Sequence, residues 1–356
     1  MPSRRSSDRS LGQVIIAVDP HKASWTAVAV DSRLRPLGAI RVPVSRAGYR
    51  QLRAFARHWP GATWAVEGAG GLGGPLTTRL ADDDIAVLDV PAKLARRVRL
   101  LSSGHGRKTD EADALSVGVA AHTATRLHEV QIDEAITALR SLTEHREDLV
   151  RARTQTVNRL HALVVKLVPA GLPRKLTADA AAAALRRVRP RGALGRTLRS
   201  LAVDLIAEVR RLDRRISAVT DQISTAVTES ASTLTELHGI GDLMAARIIA
   251  RTGSIDRFRS AAAFASYCGV APLDVSSGDV QRHRLSRAGD RQLNAALHIM
   301  AITQIRHKTD GQAYYQRKRS EGKNHKEALR CLKRRLSDVV YRTMLRDSGT
   351  SLIQTA

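Results

Sequence analysis

Sulfur is nearly missing from this chain. Two cysteines, Cys268 and Cys331, occur in 356 residues, without the spacing of a metal site. That excludes a disulfide framework or structural zinc and points to a reducing, cytoplasmic compartment. Aromatic residues make up 3% of the chain. That is too few for the stacking platforms on which single-strand binders read unpaired bases. The 12 histidines are scattered and form no H-E-x-x-H pair, which disfavours zinc hydrolysis. No apolar run approaches the roughly 20 residues of a bilayer span, so no membrane partner is expected. Acids are in deficit: 34 Asp and Glu stand against 58 Lys and Arg, a formal net charge of +24. Such an excess calls for a polyanionic partner, gripped by its backbone.

What is present sorts into segments. Hydrophobic residues, at 43%, suffice for a core, and the length favours two or three domains. Residues 1–12, rich in Arg and Ser, read as a disordered basic tail rather than a signal peptide. Residues 13–125 predict an α/β domain with a mixed sheet. Strand-like runs fall at 13–18, 25–30, 37–42, 63–66 and 85–88. Helices fall near 46–58 and 74–81, after Pro91, and over 110–122. The Gly-rich stretch 68–74 lacks the pattern of a phosphate loop and reads as a turn beside Glu67.

Residues 126–230 predict a helical, coiled-coil or dimerisation region. Leu198, Leu201, Leu205, Val209, Leu212, Ile216, Val219, Ile223 and Val227 recur by threes and fours, a seam of about four heptads. An earlier, looser stripe runs from Leu142 to Leu167. Two long helices with a Pro- and Gly-containing connector make either an antiparallel hairpin or a dimerising coiled coil. Residues 231–320 read as a helical unit. In it, Leu237-His238-Gly239-Ile240-Gly241 before a helix fits a helix-hairpin-helix-like motif, with Gly239 and Gly241 letting the backbone approach a phosphate. Residues 321–356 read as a basic C-terminal helix, with Leu329, Leu332, Leu336, Val339 and Val340 on one face, serving as a phosphate clamp or a packing helix.

Four acids carry the chemistry. Asp19 ends the apolar run Val14–Val18, and Glu67 ends Trp64-Ala65-Val66. Asp110 and Asp113 open a helix three residues apart, about 60° around it and roughly 4.5 Å along it, so both can face one point. Acids at a helix start also simply favour its positive end. Carboxylates crowded at strand ends repel unless cations neutralise them, and two Mg²⁺ ions about 3.5–4 Å apart would serve phosphoryl transfer. Lys22 could grip a substrate phosphate or balance charge. Ser276-Ser277-Gly278, taken alone, is a turn.

At these residues the chain resembles the DEDD insertion-sequence transposases, also known as bridge-RNA-guided serine recombinases. The resemblance rests on Asp19-Pro20-His21-Lys22, on Glu67, and on Arg107-Lys108-Thr109-Asp110-Glu111-Ala112-Asp113-Ala114. It continues through Leu237–Gly241, Phe258-Arg259-Ser260-Ala261, Ala265–Pro272, Ser276-Ser277-Gly278 and Leu285–Leu293, spanning about residues 13–310. His238 stands where the pattern has proline. The resemblance implies an RNase H-like (RuvC-like) domain over 13–125 and a second transposase domain over 231–320. It implies that Asp19, Glu67, Asp110 and Asp113 hold divalent metal. It also implies that Ser277, with Ser276 the adjacent alternative, attacks DNA. The expected nucleic-acid contacts are Lys22, Lys108, Gly239, Gly241, Arg282, Arg284, Arg287 and Arg291. The implied partners are donor and target DNA, a structured non-coding bridge RNA, and further copies of the chain as dimer or tetramer. The acids of one subunit would then work with the serine of another. The alternative is a RuvC-like metal-dependent nuclease or junction resolvase that forms no covalent serine intermediate.

Overall fold

The structure, a computed structural model, describes residues 14–103, 109–125, 127–168, 176–277, 280–285 and 289–354. Side chains are described for all of these except 102–103, 273–277, 280–285 and 350–354. It divides into two compact units, residues 1–132 and 133–356.

The first unit opens with three strands in succession: β1 (Val14–Pro20), β2 (Ser24–Asp31) and β3 (Pro36–Pro43). There follow α1 (Arg46–Ala56), β4 (Thr63–Glu67), α2 (Gly74–Asp82), β5 (Val87–Val90), α3 (Ala92–Ser103), α4 (Asp110–Thr123) and β6 (His128–Glu129). The sheet order is β3-β2-β1-β4-β5-β6. Strand β2 runs antiparallel to both neighbours, whereas β1, β4 and β5 are parallel. This is the RNase H-like (RuvC-like) mixed sheet that the resemblance implied. Strand β5 sits two residues later than the expected 85–88, and β6, too short to carry a periodicity, was not foreseen.

Alternation along the strands builds two cores. Ile16, Val18, Trp25, Ala27, Trp64 and Val66 face one way, onto Leu52 of α1 and Leu76 and Leu80 of α2. Ile15, Ala17, Val28, Val30, Ala65 and Val90 face the other, onto Ala95 of α3 and Ala114, Val117 and Ala120 of α4. Small residues bring α4 close to the sheet. A Cβ on Gly118 would lie 2.4 Å from Val30 Cγ2 and 3.1 Å from Ala17 Cβ. Thr109 caps α4, its hydroxyl accepting from the Ala112 amide at 3.2 Å.

The second unit begins with α5 (Glu134–Leu167), α6 (Ala178–Arg186) and α7 (Ala193–Glu229). Of the two arrangements the seam allowed, the hairpin within one chain is present. Arg146 Nε donates to Thr220 Oγ1 at 2.8 Å and Arg153 pairs with Asp213, so positions rise along α5 as they fall along α7. Val209, Leu212, Val219, Ile223 and Val227 are buried, as the seam required. Towards the start of α7 the inward positions shift to Ala202 and Ile206, and Leu201 is left 47% exposed. There α6 packs over the hairpin through Ala181 and Leu185 and selects the smaller face.

The chain continues through a 3₁₀ turn (Thr233–Glu236), α8 (Asp242–Thr252), a second 3₁₀ turn (Ile255–Arg257) and α9 (Ala261–Tyr267). A hairpin, β7 (Pro272–Ser277) and β8 (Val280–Leu285), precedes α10 (Arg291–Arg306), α11 (Asp310–Ser320) and α12 (His325–Gln354). One core joins Leu139, Leu212 and Ile223 of the long helices to Leu234, Ile248, Phe264, Leu297, Leu332 and Met344.

Three readings need correction here. The segment expected to be helical contains a two-stranded sheet, and Ser276 and Ser277 are the last residues of β7, paired with Gln281 and Val280. Strand β8 reads VQRHRL, whose charges hide any apolar alternation. The element before Gly239 is a 3₁₀ turn rather than an α-helix. In α12, Val339, expected on the apolar face, is exposed, whereas Lys333 is half-buried and donates to Asn294 Oδ1 of α10 at 2.6 Å. Burial holds its ammonium below the usual lysine pKa. No helix among the described residues is long and apolar enough to cross a membrane.

Candidate active site

Strand alternation decides where the acids point. Asp19 is two residues beyond Ala17, and Glu67 two beyond Ala65, so both lie on the sheet face that α4 covers. Val18 pairs with Val66 across the parallel β1–β4 ladder, which makes Asp19 and Glu67 the next pair in register. Asp110 and Asp113 start α4 over the same face. On the other side of Asp19 come its partner Thr26 in β2 and then Arg41 in β3, opposite Thr26. Arg41, Thr26, Asp19 and Glu67 thus form a row across four adjacent strands.

Histidine and arginine side chains flank the acids. His21 Nδ1 lies 3.6 Å from Asp19 Oδ2, and His21 Nε2 lies 3.9 Å from Asp110 Oδ1. Arg41 Nη1 is 3.2 Å from Asp110 Oδ2. Arg99 Nη1 of α3 donates to Asp113 Oδ1 at 3.0 Å. Asp19 is only 8% exposed. The Glu67 carboxyl is pushed up to about 7, first by burial and then by the charges of Asp19 and Asp113, with Arg99 and His21 opposing.

Four carboxylates and no thiolate suit a hard divalent cation. The Glu67 carboxyl is raised first by burial and then by repulsion from Asp19 and Asp113, the part that a cation would relieve. As the side chains stand, the guanidinium groups of Arg41 and Arg99 supply positive charge, and the His21 imidazole lies beside Asp19 and Asp110. Among the described residues, no three His, Cys, Asp or Glu side chains are set to hold one ion together. Donor chemistry therefore fits a cation, while the carboxylates themselves would have to turn towards it.

The other expected residues lie as follows. Lys22 lines a shallow cleft with His21, Trp25, Gly71 and Leu72, next to the acids. Lys108 and Arg287 fall outside the described residues, as do the side chains of Ser276, Ser277, Arg282 and Arg284. In β8, the backbones of Arg282 and Arg284 pair with Val275 and Leu273. Arg291 is exposed at the start of α10. Gly241 caps α8 with open space around it. Gly239 does not: at φ 93°, its Cβ position lies 3.2 Å from Thr303 Cβ and 3.3 Å from the Met300 carbonyl oxygen. Packing on α10 and a left-handed backbone account for that glycine without a phosphate.

A histidine, two arginines and one hydroxyl residue were missed as site residues: His21, Arg41, Arg99 and Thr26. Arg41 and Thr26 could have been found by extending the strand alternation across β1–β3. Arg99 required the packing of α3 on α4, which no local pattern encodes.

Residues 16–169 match a family profile for DEDD elements of the IS110 type, described as a transposase, and residues 231–316 match one described as the transposase IS116/IS110/IS902 family. The chain is similar to the uncharacterised 44.8 kDa protein of insertion element IS116 from Streptomyces clavuligerus, 29% identical, over 94% of this chain and 95% of that one. It is similar to the uncharacterised 43.6 kDa protein of insertion element IS110 from Streptomyces coelicolor, 29% identical over 77% of this chain and 78% of that one. Among solved structures, T. thermophilus RuvC in complex with a Holliday junction substrate aligns over 33% of this chain and 99% of its own, at 16% identity. Its TM-score is 0.28.

Proposed function

Because the chain belongs to the IS110/IS116 family of insertion-element transposases, enzymes that act on DNA, we propose that it cuts and rejoins DNA by metal-dependent transesterification through a serine. The observation that carries the reading is the gathering of Asp19 and Glu67, in register on β1 and β4, under the acidic start of α4. Asp19, Glu67, Asp110 and Asp113 would hold the divalent ions, Mg²⁺ being the expected metal and two the expected number. Bound there, such ions would polarise the scissile phosphate and lower the pKa of the attacking hydroxyl.

In this reading Ser277 Oγ attacks phosphorus. A P–O bond to serine forms, the P–O bond to the DNA leaving oxygen breaks, and the serine proton ends on that oxygen. The bond energy is conserved in the phosphoserine link, so a hydroxyl of another DNA end can reverse the step on a new partner without ATP. Lys22 grips a flanking phosphate from the cleft beside the acids. The excess of basic residues holds the DNA backbones. Sequence choice passes to a structured non-coding guide RNA that pairs with donor and target DNA, in keeping with the scarcity of aromatic platforms. A dimer or tetramer supplies the second serine that an exchange between two duplexes needs.

The test is strand transfer by the full chain with Mg²⁺, donor and target DNA and the RNA of the element. Asp19→Ala and Ser277→Ala are each expected to abolish joining. Wild type should leave a denaturation-resistant protein–DNA adduct that Ser277→Ala lacks. Full joining by both variants overturns the reading. Cleavage without an adduct in wild type makes the protein a metal-dependent nuclease or resolvase instead.

A further inference from the structure

Thr26 is the member of the four-strand row for which the chemistry above has no use. It is fully buried, at 0% exposure, and among the described residues its Oγ1 has no hydrogen-bond partner. It stands directly opposite Asp19 in the β1–β2 ladder. Residues so paired share a face, with Cβ atoms about 4.5–5.5 Å apart.

An unmade buried hydroxyl is costly, and buried polar groups are ordinarily satisfied. The core itself does not ask for one at this position. Val28 and Val30, next along β2 on the same face, are valines, and a valine would match threonine in shape while suiting a strand equally well. Such a hydroxyl calls for a partner that another arrangement of the site would supply. In the present one, Asp19 Oδ2 is turned towards His21.

We propose that Thr26 is a positioning residue for the acidic site: its hydroxyl donates to the Asp19 carboxylate when that group turns to hold a divalent cation. This rests on the reading of Asp19 as a cation ligand. A hydroxyl is well chosen for the task. It orients a carboxylate without neutralising it, whereas the guanidinium groups of Arg41 and Arg99 compete with a cation for the same charge. Branching at Cβ leaves threonine few rotamers on a strand, so the donor is held before the ion arrives. One carboxylate oxygen is thereby occupied and the other presented, the arrangement by which outer partners tune metal ligands generally.

The experiment is Mn²⁺ binding to the full chain without nucleic acid, followed by the electron-spin signal of the free ion. Thr26→Val is expected to weaken binding about 10-fold, the lower end for loss of such a partner. Thr26→Ser should restore it to within about twofold of wild type, since the donor returns. Without metal, Thr26→Val should melt at or above the wild-type temperature, because the variant loses a hydroxyl that is unsatisfied in that state. Asp19→Asn should lose binding, and adding Thr26→Val to it should cost nothing more. Wild-type binding by Asp19→Asn overturns the ligand reading beneath the inference. Loss in Asp19→Asn with wild-type binding by Thr26→Val overturns the inference alone. So does a lowered melting temperature in Thr26→Val with no rescue by Thr26→Ser, which would make Thr26 a packing residue.

Discussion

Glu67 gives the site a measurable signature in the absence of any ligand. Its carboxyl titrates near 7 in the folded chain, above its ordinary value of 4.5. As pH rises from 4.5 to 7, the unfolded chain gives up this proton first, so the folded state loses stability through that window and no further beyond it. Glu67→Gln has no proton to lose. Relative to wild type in metal-free buffer, it should gain roughly 2 kcal/mol across the window, allowing for partial solvent screening of about 1.4 kcal/mol per unit. Urea unfolding at three pH values checks this, and a constant difference would mean that the carboxyl is not raised. At this scale the sequence was legible wherever chemistry is local. The four acids stood out because each closes an apolar run or opens a helix. Their cationic partners did not, because Arg99 reaches Asp113 only through the packing of α3 on α4.

The elements were more legible than their contacts. Helix α4 was readable from its acidic first turn and small-residue body, but its closeness to the sheet depends on Gly118 meeting Val30 and Ala17. Gly118→Leu would force α4 away from the sheet and carry Asp110 and Asp113 with it. We expect a loss of about 1–3 kcal/mol or more in chemical denaturation, together with weakened Mn²⁺ binding. The long hairpin makes a sharper test of register. Ile223→Ala, at a fully buried position of α7, should cost about 2–5 kcal/mol. Leu201→Ser, at a seam position the structure leaves half exposed, should change stability by no more than about 0.5 kcal/mol. Equal costs would restore the uniform seam that heptad spacing predicted. The spacing failed there because α6, separated in sequence by a turn, covers one end of the hairpin. The β7–β8 hairpin was hidden for a different reason: arginine and histidine fill strand β8 where an alternating apolar pattern would have shown it.

For the molecule as a whole, charge sets the terms on which DNA is met. A net +24 implies that binding releases many counterions. Affinity for a duplex should therefore fall about 10³-fold or more between 50 and 200 mM salt if six or more phosphates are contacted. Fluorescence anisotropy over that range would show it, and a flat response would contradict a backbone grip. The fold class was readable at this scale because three strands followed by alternating helices and strands admit few sheet orders.

The row across β3, β2, β1 and β4 also governs how the chain can change in length. One residue added within Val14–Val18 would rotate Asp19 away from α4 and into the layer of Trp25 and Trp64, and a second would bring it back displaced by a full pleat. The bend after Asp31, where Arg33 and Arg35 are exposed, has no such parity to keep. Insertions should accumulate there and be absent from β1, so that the spacing from Val14 to Asp19 is as much a part of the site as the carboxylate it delivers.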